Sequence, residues 1–479
     1  MVDGKKESKK VELKAGLEIH QQLDTGKLFC RCPSILRNEK GDWIVKRKLH
    51  AVAGETGEVD LAAKHEASRD RNFIYEGFKD TNCLLEFDEQ PPLEIDKEAL
   101  RVALQVACLL NCEIIQDTQV MRKTVIDGSN TSGFQRTLLL AKNGFLETSF
   151  GRVGIQSICL EEDAARKISE ENNIVIYRLD RLGIPLIEVA TSPELYYPEQ
   201  VKEAALKIGE ILRACKVKRG IGTIRQDLNI SIPKHDRVEI KGFQEPRIMI
   251  KTVELEVERQ KEELKKGKKE GGVRKSNEDG TTSFLRPMPG EHRMYPETDL
   301  KLLHISRDLI NEVKNSLPKL KSDIKGELAE KGLNEEMIKL LIESRKLDEF
   351  ENLLKIYSNS NFVVKLMLVF PKEISSHENI SSEIFSMDVL ESIVKAIAGG
   401  KIKEEDAKHV LEEIAKGKNI NEAIKIEKVD IGEIESEAAK LIKEKPGLSI
   451  GAYMGMLMSK FKGKISGKDA NEILGKLIK

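Results

Sequence analysis

The hydrophobic pattern of this chain changes its period near residue 300, and this change limits the possible folds more than any other feature. Before that point, apolar and polar residues alternate between turns rich in Gly, Asn and Asp, which is typical of half-buried strands. After it, apolar residues recur at helical spacing between breaks such as Pro318, Pro371 and Gly399-Gly400. With 479 residues the chain has room for about three domains. The pattern predicts an α+β protein with a large mixed domain over residues 1–300, a helical domain over 301–418 and a small helical domain over 419–479.

Charge and composition narrow the functional classes. The chain has 79 Lys and Arg against 80 Asp and Glu, so any nucleic-acid contact must come from a local patch. Residues 1–14 lack the apolar segment of a signal peptide, and the longest apolar stretch, 363–370, is too short to span a membrane. Seven cysteines, an odd number, favour reduced thiols. We therefore expect a cytoplasmic protein with no membrane segment.

Two neighbouring segments, 223–232 and 237–243, alternate polar and apolar residues and predict a hairpin. Because burial brings both apolar sets to the same face, the polar sets must coincide on the other face. These polar residues are Arg225, Asp227, Asn229, Glu239 and Lys241. They form a candidate catalytic cluster, and a plain outer sheet face with surface ion pairs is the alternative.

Three further motifs contain groups that could bind a metal ion or phosphate, or act as a general base. Glu18 and His20, two residues apart on a predicted strand, leave the same face and could bind a metal or act as a base, although an isolated His is usually structural. The acidic run 161–163 follows an apolar strand and suits Mg²⁺, unless it is simply solvated. The loop 127–133 could bind phosphate through its backbone N–H groups, or it is an ordinary turn.

Two local patterns predict a turn and a loop. The Asn143-Gly144 pair between the segments 136–142 and 145–150 predicts a two-residue hairpin turn, and the polar stretch 274–283 predicts an exposed loop.

Other patterns are less decisive. The sequence contains no P-loop, no dinucleotide-binding glycine motif and no nucleophile elbow. Cys30 and Cys32 form a C-x-C pair, and a structural zinc would need further ligands, for which His50 and His65 lie within reach in sequence, so zinc and plain thiols both stay open. A basic patch near the C-terminus could contact phosphate groups of a nucleic acid, or it is a solvated surface. This patch contains Lys460, Lys462, Lys464 and Lys468.

Longer motifs make the sequence more specific. They lie at residues 16–25, 125–131, 133–137, 160–166, 183–188, 225–231, 239–243, 285–290 and 293–299. Together they closely resemble the archaeal E and bacterial B subunits of the glutamyl-tRNA(Gln) amidotransferases. Residues 452–474 resemble the mobile C-terminal domain of the same family.

The resemblance implies a cradle-shaped first domain, followed by a helical domain and a helical tail domain. It implies a carbon–nitrogen ligase that uses ATP and Mg²⁺ to phosphorylate the γ-carboxylate of Glu-tRNA(Gln), which ammonia then converts to Gln-tRNA(Gln). The ammonia would come from an asparaginase-like amidohydrolase partner, the D subunit of the family, within a heterotetramer. The chain has no G-G-S-S amidase signature, which agrees with an external ammonia source.

The resemblance also implies roles for individual residues. It implies metal ligands at His20, Glu162, Glu239 and Glu18, and catalytic roles for Asp227, Lys241 and Arg225, the last two neutralising phosphate oxygens. It implies that ATP is contacted by Ser129, Asn130, Thr131, Gln135 and Arg136. The lysines of the C-terminal patch fall in the tail domain, where we expect tRNA binding.

The chain departs from the family pattern in one place. Archaeal members usually carry an inserted domain, similar to one in bacterial-type aspartyl-tRNA synthetases, before the motif at 281–283. Here the segment 265–283 is too short for a domain, so tRNA contacts made by that insertion are in doubt. A non-catalytic tRNA-binding scaffold and a metal-dependent hydrolase are the alternative functions.

Overall fold

A computed structural model of the chain describes residues 13–51, 53, 57–59, 61–243, 246–288, 294–425, 431–461 and 467–477. The chain divides into two compact units, Met1–Lys321 and Ser322–Lys479. The first unit is rich in β-strands and the second is helical, which confirms the predicted α+β class. None of the described helices is both long and apolar enough to cross a lipid bilayer.

All described strands belong to the first unit. They are β1 (Lys14–Gln22), β2 (Trp43–Arg47), β3 (Asn72–Gly77), β4 (Glu113–Ile114), β5 (Asp117–Thr118), β6 (Val120–Thr124), β7 (Phe134–Thr148), β8 (Gly151–Glu162), β9 (Arg166–Glu171), β10 (Ile174–Arg178), β11 (Pro185–Thr191), β12 (Ile224–Ser231), β13 (Val238–Phe243), β14 (Gly272–Ser276), β15 (Thr282–Arg286), β16 (Met294–Pro296) and β17 (Leu303–His304).

Helices connect these strands and form the second unit. Those before residue 320 are α1 (Leu61–Ala67), α2 (Lys97–Leu109), α3 (Pro198–Ala214), α4 (Pro246–Lys265) and α5 (Arg307–Asn315). The others are α6 (Lys321–Glu330), α7 (Glu335–Ser344), α8 (Leu347–Ile356), α9 (Ser360–Val364), α10 (Phe370–Glu378), α11 (Met387–Ala398), α12 (Ala407–Ala415), α13 (Ile420–Ala423), α14 (Ile431–Glu444), α15 (Ile450–Lys460) and α16 (Gly467–Leu477). A π-helical turn, Lys365–Val369, joins α9 to α10, and 3₁₀ turns occur at Leu84–Phe87, Ser382–Ile384 and Glu404–Asp406.

The main sheet has one apolar and one polar face. Its strands follow the order β15-β14-β13-β12-β1-β11-β8-β7-β6-β16, with β4 beside β7. Leu17 and Ile19 of β1 are buried in a core shared with α2, α3 and α4. Because side chains alternate along a strand, Glu18 and His20 lie on the face opposite these helices.

The predicted hairpin between 223–232 and 237–243 is confirmed. β12 and β13 pair antiparallel, with Asn229 opposite Glu239 and Leu228 opposite Ile240. β12 also pairs with β1, which places Asp227 opposite Glu18 and Arg225 opposite His20. The polar residues of three strands therefore share one region of the sheet.

Two local predictions are wrong. The Asn143-Gly144 pair does not form a turn, because β7 runs through it as one strand. A Cβ at Gly144 would lie 2.2 Å from Cys112 Sγ, so the glycine permits a close approach instead. The stretch 274–283, expected to be an exposed loop, contributes to β14 and β15, whose connecting turn is closed by the Asn277 N–H donating to the Thr281 carbonyl at 2.9 Å.

A smaller sheet supports the loop 127–133. Its strand order is β2-β3-β10-β9, and Phe73, Tyr75 and Tyr177 belong to its buried core. The Tyr75 hydroxyl donates to the Gly128 carbonyl at 2.8 Å, and the Tyr177 hydroxyl donates to the Asp127 carbonyl at 3.0 Å. These hydrogen bonds fix the start of the loop against the smaller sheet.

The second unit contains two separate hydrophobic clusters. One joins residues of α6–α13, including Leu341, Phe350 and Val410. The other joins α14, α15 and α16 through Ala438, Leu457 and Leu474, with partly buried neighbours. Ala423 still belongs to the first cluster and Ile434 is the first buried member of the second, so the predicted boundary at residues 418 and 419 lies just before the end of the first cluster and stays a prediction.

We predict that Gly128→Ala destabilises the first unit more than Gly151→Ala does. Gly128 has φ of +90°, and an added Cβ would lie 2.2 Å from the Phe73 ring. Gly151 has φ of +108° with no atom within 4 Å of its Cβ position, so it is a matched control for backbone strain alone. We expect about 1–2 kcal/mol from the strain in each variant and about 1–3 kcal/mol more from the overlap at Gly128.

Chemical denaturation followed by circular dichroism would measure both free energies of unfolding. Equal destabilisation by the two substitutions would contradict the close packing of Phe73 on the loop.

Candidate catalytic site

His20 is the centre of an acidic cluster on the polar face of the main sheet. Its Nε2 lies 3.1 Å from Glu188 Oε2 and 3.4 Å from Glu18 Oε1. The ligand atoms of Glu18, His20 and Asp227 all lie within 4.8 Å of one another. The same holds for His20, Glu161 and Glu188. Two groups capable of holding a metal ion therefore share one imidazole.

Burial and neighbouring charges shift the pKa values of this cluster in opposite directions. Burial, together with the charge of Glu188, raises the pKa of Glu18 to about 7. Burial also opposes ionisation of Glu188, but its hydrogen bond with His20 and the charge of Lys123 outweigh burial and lower its pKa. Burial lowers the pKa of His20 less than Glu188 and Glu18 raise it, so the net shift is upward. The cluster thus attracts positive charge.

Two lysines supply part of that charge. Lys123 Nζ on β6 lies 2.6 Å from Glu161 Oε1 and 3.9 Å from Glu188 Oε2. Lys241 Nζ on β13 lies 2.8 Å from Asp227 Oδ2 and 2.5 Å from Glu239 Oε1. The carboxylates raise the pKa of Lys241 despite its burial, so it stays protonated.

Arg225 lies beside this cluster, and an ion pair with Asp163 fixes its position. Its Nη2 is 2.8 Å from Asp163 Oδ1, and Asp163 also accepts a hydrogen bond from Gln22 Nε2 at 2.6 Å. Burial disfavours the charge of Asp163, but Arg225 and Arg181 outweigh it and lower its pKa. The side chain of Arg225 remains about one-third exposed, so its guanidinium can reach a bound anion.

The structure brings together most of the residues expected at the site, but it separates Glu162 from them. Glu161 and Glu162 alternate on β8, and Glu162 Oε2 lies 3.4 Å from Arg136 Nη1. Among the described residues, Glu162 and Glu239 belong to neither histidine-containing group. Glu188 and Lys123 were not singled out from the sequence, and Glu161 was predicted only as part of the acidic run 161–163, because only strand pairing reveals which polar residues face His20.

A family model described as the GatB/GatE catalytic domain matches residues 13–311, and one described as the GatB domain matches residues 348–478. The chain belongs to the GatB/GatE family. This conclusion confirms the resemblance seen in the sequence motifs.

Curated relatives of this GatB/GatE chain are similar over nearly their whole length. The E subunit of the glutamyl-tRNA(Gln) amidotransferase of Methanocaldococcus jannaschii is 37% identical over 628 positions, covering 98% of this chain and 99% of the relative. The protein of the same name from Archaeoglobus fulgidus is 35% identical, with 98% of each chain covered. That from Methanobrevibacter smithii is 34% identical, covering 97% of this chain and 98% of the relative.

The alignment with the Methanocaldococcus jannaschii relative is longer than the 479 residues of this GatB/GatE chain, so that relative contains additional residues without a counterpart here. In the structure, the segment 265–283 holds the end of α4, β14 and the turn to β15. It has no room for an inserted domain.

Of the residues expected to contact ATP, Gln135 contacts the cluster around His20, whereas the others have different partners. Asp127 Oδ1 accepts hydrogen bonds from the Ser129 N–H and hydroxyl at 2.9 Å and 2.6 Å. Gln135 Nε2 donates to Glu161 Oε2 at 3.1 Å, and Arg136 Nε lies 2.8 Å from Glu297 Oε2. Asn130, Thr131 and Arg136 are buried and line one cavity together with Lys27, Glu86 and Glu162.

The C-terminal lysines are only partly described. Lys460 ends α15 and forms an ion pair with Glu437 of α14. Lys468 lies in α16, whereas Lys462 and Lys464 lie outside the described residues.

A second group of metal-binding atoms lies in the first unit. The ligand atoms of Cys30, Cys32, Cys83 and Glu86 lie within 4.8 Å of one another. Three thiols and a carboxylate match the four-coordinate donor set of a structural zinc site. Lys27 Nζ, 2.6 Å from Glu86 Oε1, would offset part of the thiolate charge.

Half of this group was not predicted from the sequence. The histidines expected as possible zinc ligands, His50 and His65, belong to no metal-binding group among the described residues. The signal that could have found it is the C-x-x-E spacing of Cys83 and Glu86, which the 3₁₀ turn Leu84–Phe87 folds toward the C-x-C pair.

We predict that the chain binds about one equivalent of zinc through this group. Cys83→Ser should remove most of the bound zinc, because three donors hold the ion less tightly than four. Cys215→Ser, which alters a buried free thiol outside the group, is the matched control. Mass spectrometric metal analysis after dialysis measures the content; zinc-free wild-type protein from zinc-supplemented cultures would contradict the prediction.

Proposed function

We propose that this chain is the subunit of a tRNA-dependent amidotransferase that converts Glu-tRNA(Gln) to Gln-tRNA(Gln). ATP phosphorylates the γ-carboxylate of the tRNA-bound glutamate, and ammonia then displaces phosphate to form the amide. The names of the relatives support this reaction. The observation that carries the proposal is the acidic cluster around His20, bordered by Lys123, Lys241 and Arg225.

The donor set around His20 fits a hard divalent cation. Carboxylate oxygens are the ligands that Mg²⁺ prefers, and the two groups offer four of them besides the imidazole. In our proposal Glu18, Asp227, Glu161 and Glu188 hold Mg²⁺ with His20, so that Asp227, Glu161 and Glu188 replace Glu162 and Glu239 in the ligand set expected from the resemblance. When bound, Mg²⁺ would neutralise oxygens of the transferring phosphoryl group.

The protein's own groups position the reactants. Phosphoryl transfer needs alignment and charge stabilisation rather than covalent help, so cations beside the cluster have the main role. Lys241 is held by Asp227 and Glu239, and Arg225 is held by Asp163, which leaves both ready to contact phosphate oxygens.

In the first step, an oxygen of the substrate γ-carboxylate attacks the γ-phosphorus of ATP, the bond to the β-phosphate bridging oxygen breaks, and ADP leaves. In the second step, the nitrogen of ammonia attacks the acyl carbon, inorganic phosphate leaves with the bonding electron pair, and a proton is lost from nitrogen. Exclusion of water at this stage protects the acyl phosphate.

The remaining roles follow from the same proposal. The loop residues Ser129, Asn130 and Thr131 contact ATP together with Gln135 and Arg136. Lys460, Lys462, Lys464 and Lys468 contact tRNA. An asparaginase-like amidohydrolase, the D subunit of the family, supplies ammonia within a heterotetramer in the cytoplasm, where the free cysteines stay reduced.

We expect the chain to form Gln-tRNA(Gln) from Glu-tRNA(Gln), ATP, Mg²⁺ and an ammonium salt. Asp227→Asn should lower the rate at least about 100-fold, because it weakens both the cation site and the contact with Lys241. Asp117→Asn, an exposed aspartate paired with His304, is the control. Retained tRNA binding without product in the wild type would favour the scaffold alternative, and release of free glutamate without ATP would favour the hydrolase.

Glu161→Gln and Glu162→Gln form a sharper pair, because the two carboxylates are adjacent in sequence but face different partners. We expect Glu161→Gln to raise the Mg²⁺ concentration for half-maximal activity by about 10-fold or more. Glu162→Gln should leave that concentration unchanged even if it lowers the rate. The reverse pattern in a Mg²⁺ titration would restore Glu162 as the ligand and remove Glu161.

A further inference from the structure

The connection between α3 and β12, residues 215–223, is a basic loop beside the catalytic face. Lys216, Lys218 and Arg219 lie within it, Arg213 lies on the last turn of α3, and Arg225 follows on β12. No acidic residue occurs from residue 213 to residue 226. The function proposed above gives this loop no role.

The ends of the basic loop are tied to β1. Gln21 Nε2 donates to the Lys218 carbonyl at 3.0 Å and to the Thr223 carbonyl at 3.1 Å. The Lys218 N–H donates to the Gln22 carbonyl at 3.0 Å, and the Asp24 N–H donates to the Lys216 carbonyl at 3.1 Å. Because His20 precedes Gln21 on the same strand, the loop has a fixed position relative to the acidic cluster.

The tip of the loop is exposed and apolar. The side chain of Ile221 is 98% exposed, the highest value among the large hydrophobic residues that the structure describes. Gly220 and Gly222 on either side have φ of +116° and +83°, and no atom lies within 4 Å of their Cβ positions. The Thr223 hydroxyl donates to the Gly220 carbonyl at 2.8 Å, so the tip is a closed turn that presents Ile221 to solvent.

The charges of the loop are unequally compensated. Lys216 pairs with Glu98 at 2.5 Å, and Lys218 lies 3.7 Å from Asp24. Arg219 forms an ion pair with none of the acidic side chains in the described part of the chain; its guanidinium donates to the Arg213 carbonyl.

Arg219 therefore lies close to a second arginine. Burial and the nearby charge of Arg219 lower the pKa of Arg213, while Glu210 partly offsets them. Two neighbouring guanidinium groups repel each other unless an anion lies between them, and phosphate is one of the two anions, with carboxylate, whose geometry matches the guanidinium donors.

We propose that Arg213 and Arg219 bind a backbone phosphate near the 3′ end of the aminoacylated tRNA, while Ile221 packs against an unstacked base or its ribose. The proposal rests on the function proposed above. RNA ends are recognised through unstacked nucleotides and phosphate contacts, which need a cation and an apolar surface together. The glutamate to be amidated is attached to that end of the RNA.

The short distance along the chain between the basic loop and Arg225 supports the binding of the RNA 3′ end at the loop. Arg219 precedes Arg225 by six residues, so their backbones are at most about 22 Å apart. An RNA 3′ end bound at the basic loop can therefore place its aminoacyl group at the cluster beside Arg225.

Arg219→Gln tests the phosphate contact, because it removes an exposed charge without altering the core. We expect the KM for Glu-tRNA(Gln) in the ammonium-dependent reaction to rise about 3- to 10-fold. The negative slope of log affinity against log salt concentration for tRNA(Gln) should decrease in magnitude by about one. The KM for ATP and the kcat should not change. Arg152→Gln, an exposed arginine at the opposite end of β8 from Glu161, is the matched control and should match wild type.

Ile221→Ser tests the apolar contact separately. It should raise the KM for Glu-tRNA(Gln) about 3-fold while leaving the salt slope unchanged, because no counterion is released by an apolar group.

An unchanged KM and slope in Arg219→Gln would overturn the proposal, and so would a change confined to the KM for ATP. If the wild type binds tRNA(Gln) but makes no product, the proposed amidotransferase function is wrong. The salt slope of Arg219→Gln would still test whether the basic loop contacts phosphate.

Discussion

The sharing of one imidazole by two acidic groups is the interaction on which the arrangement of the site depends. His20 contacts Glu18 and Glu188 directly, and Asp227 and Glu161 complete the two groups. So many carboxylates on one face would repel one another in a medium less polarisable than water. Lys123 and Lys241 offset part of this repulsion, and the remaining negative charge is the physical reason for a divalent cation in the proposed reaction.

The apolar face of the same sheet makes this concentration of charge possible. Leu17 and Ile19 pack under α2, α3 and α4, and that burial fixes the register of β1 between β11 and β12. A shift of one residue would turn Glu18 and His20 into the core and expose the apolar residues, so the register is strongly specified. The helices thus determine indirectly which carboxylates meet the imidazole.

The sequence predicts the parts of this arrangement that depend on neighbouring residues, and it misses those that depend on distant ones. The β12–β13 hairpin follows from alternation alone, and so does the common face of Arg225, Asp227 and Lys241. The choice between Glu161 and Glu162 needs the pairing of β8 with β11, which no local pattern reveals. The prediction of a turn at Asn143-Gly144 was wrong because Gly144 permits a close approach by Cys112, a residue from another part of the chain. Cys83 and Glu86 were missed because 50 residues of chain separate them from Cys32.

The short segment 265–283 supplies none of the residues around His20, so it bears on the proposed RNA binding rather than on the proposed chemistry. The residues around His20 come from β1, β6, β8, β11, β12 and β13, and none comes from the short connection that includes β14. The relatives contain additional residues that have no counterpart here, and in the proposed function this chain binds its tRNA substrate without them. Affinity for a polyanion depends on the number of phosphates neutralised, so each remaining cation near the site carries a larger share. A rigid basic loop tied to β1 is well placed for that role, because its position is set by the same strand that positions His20.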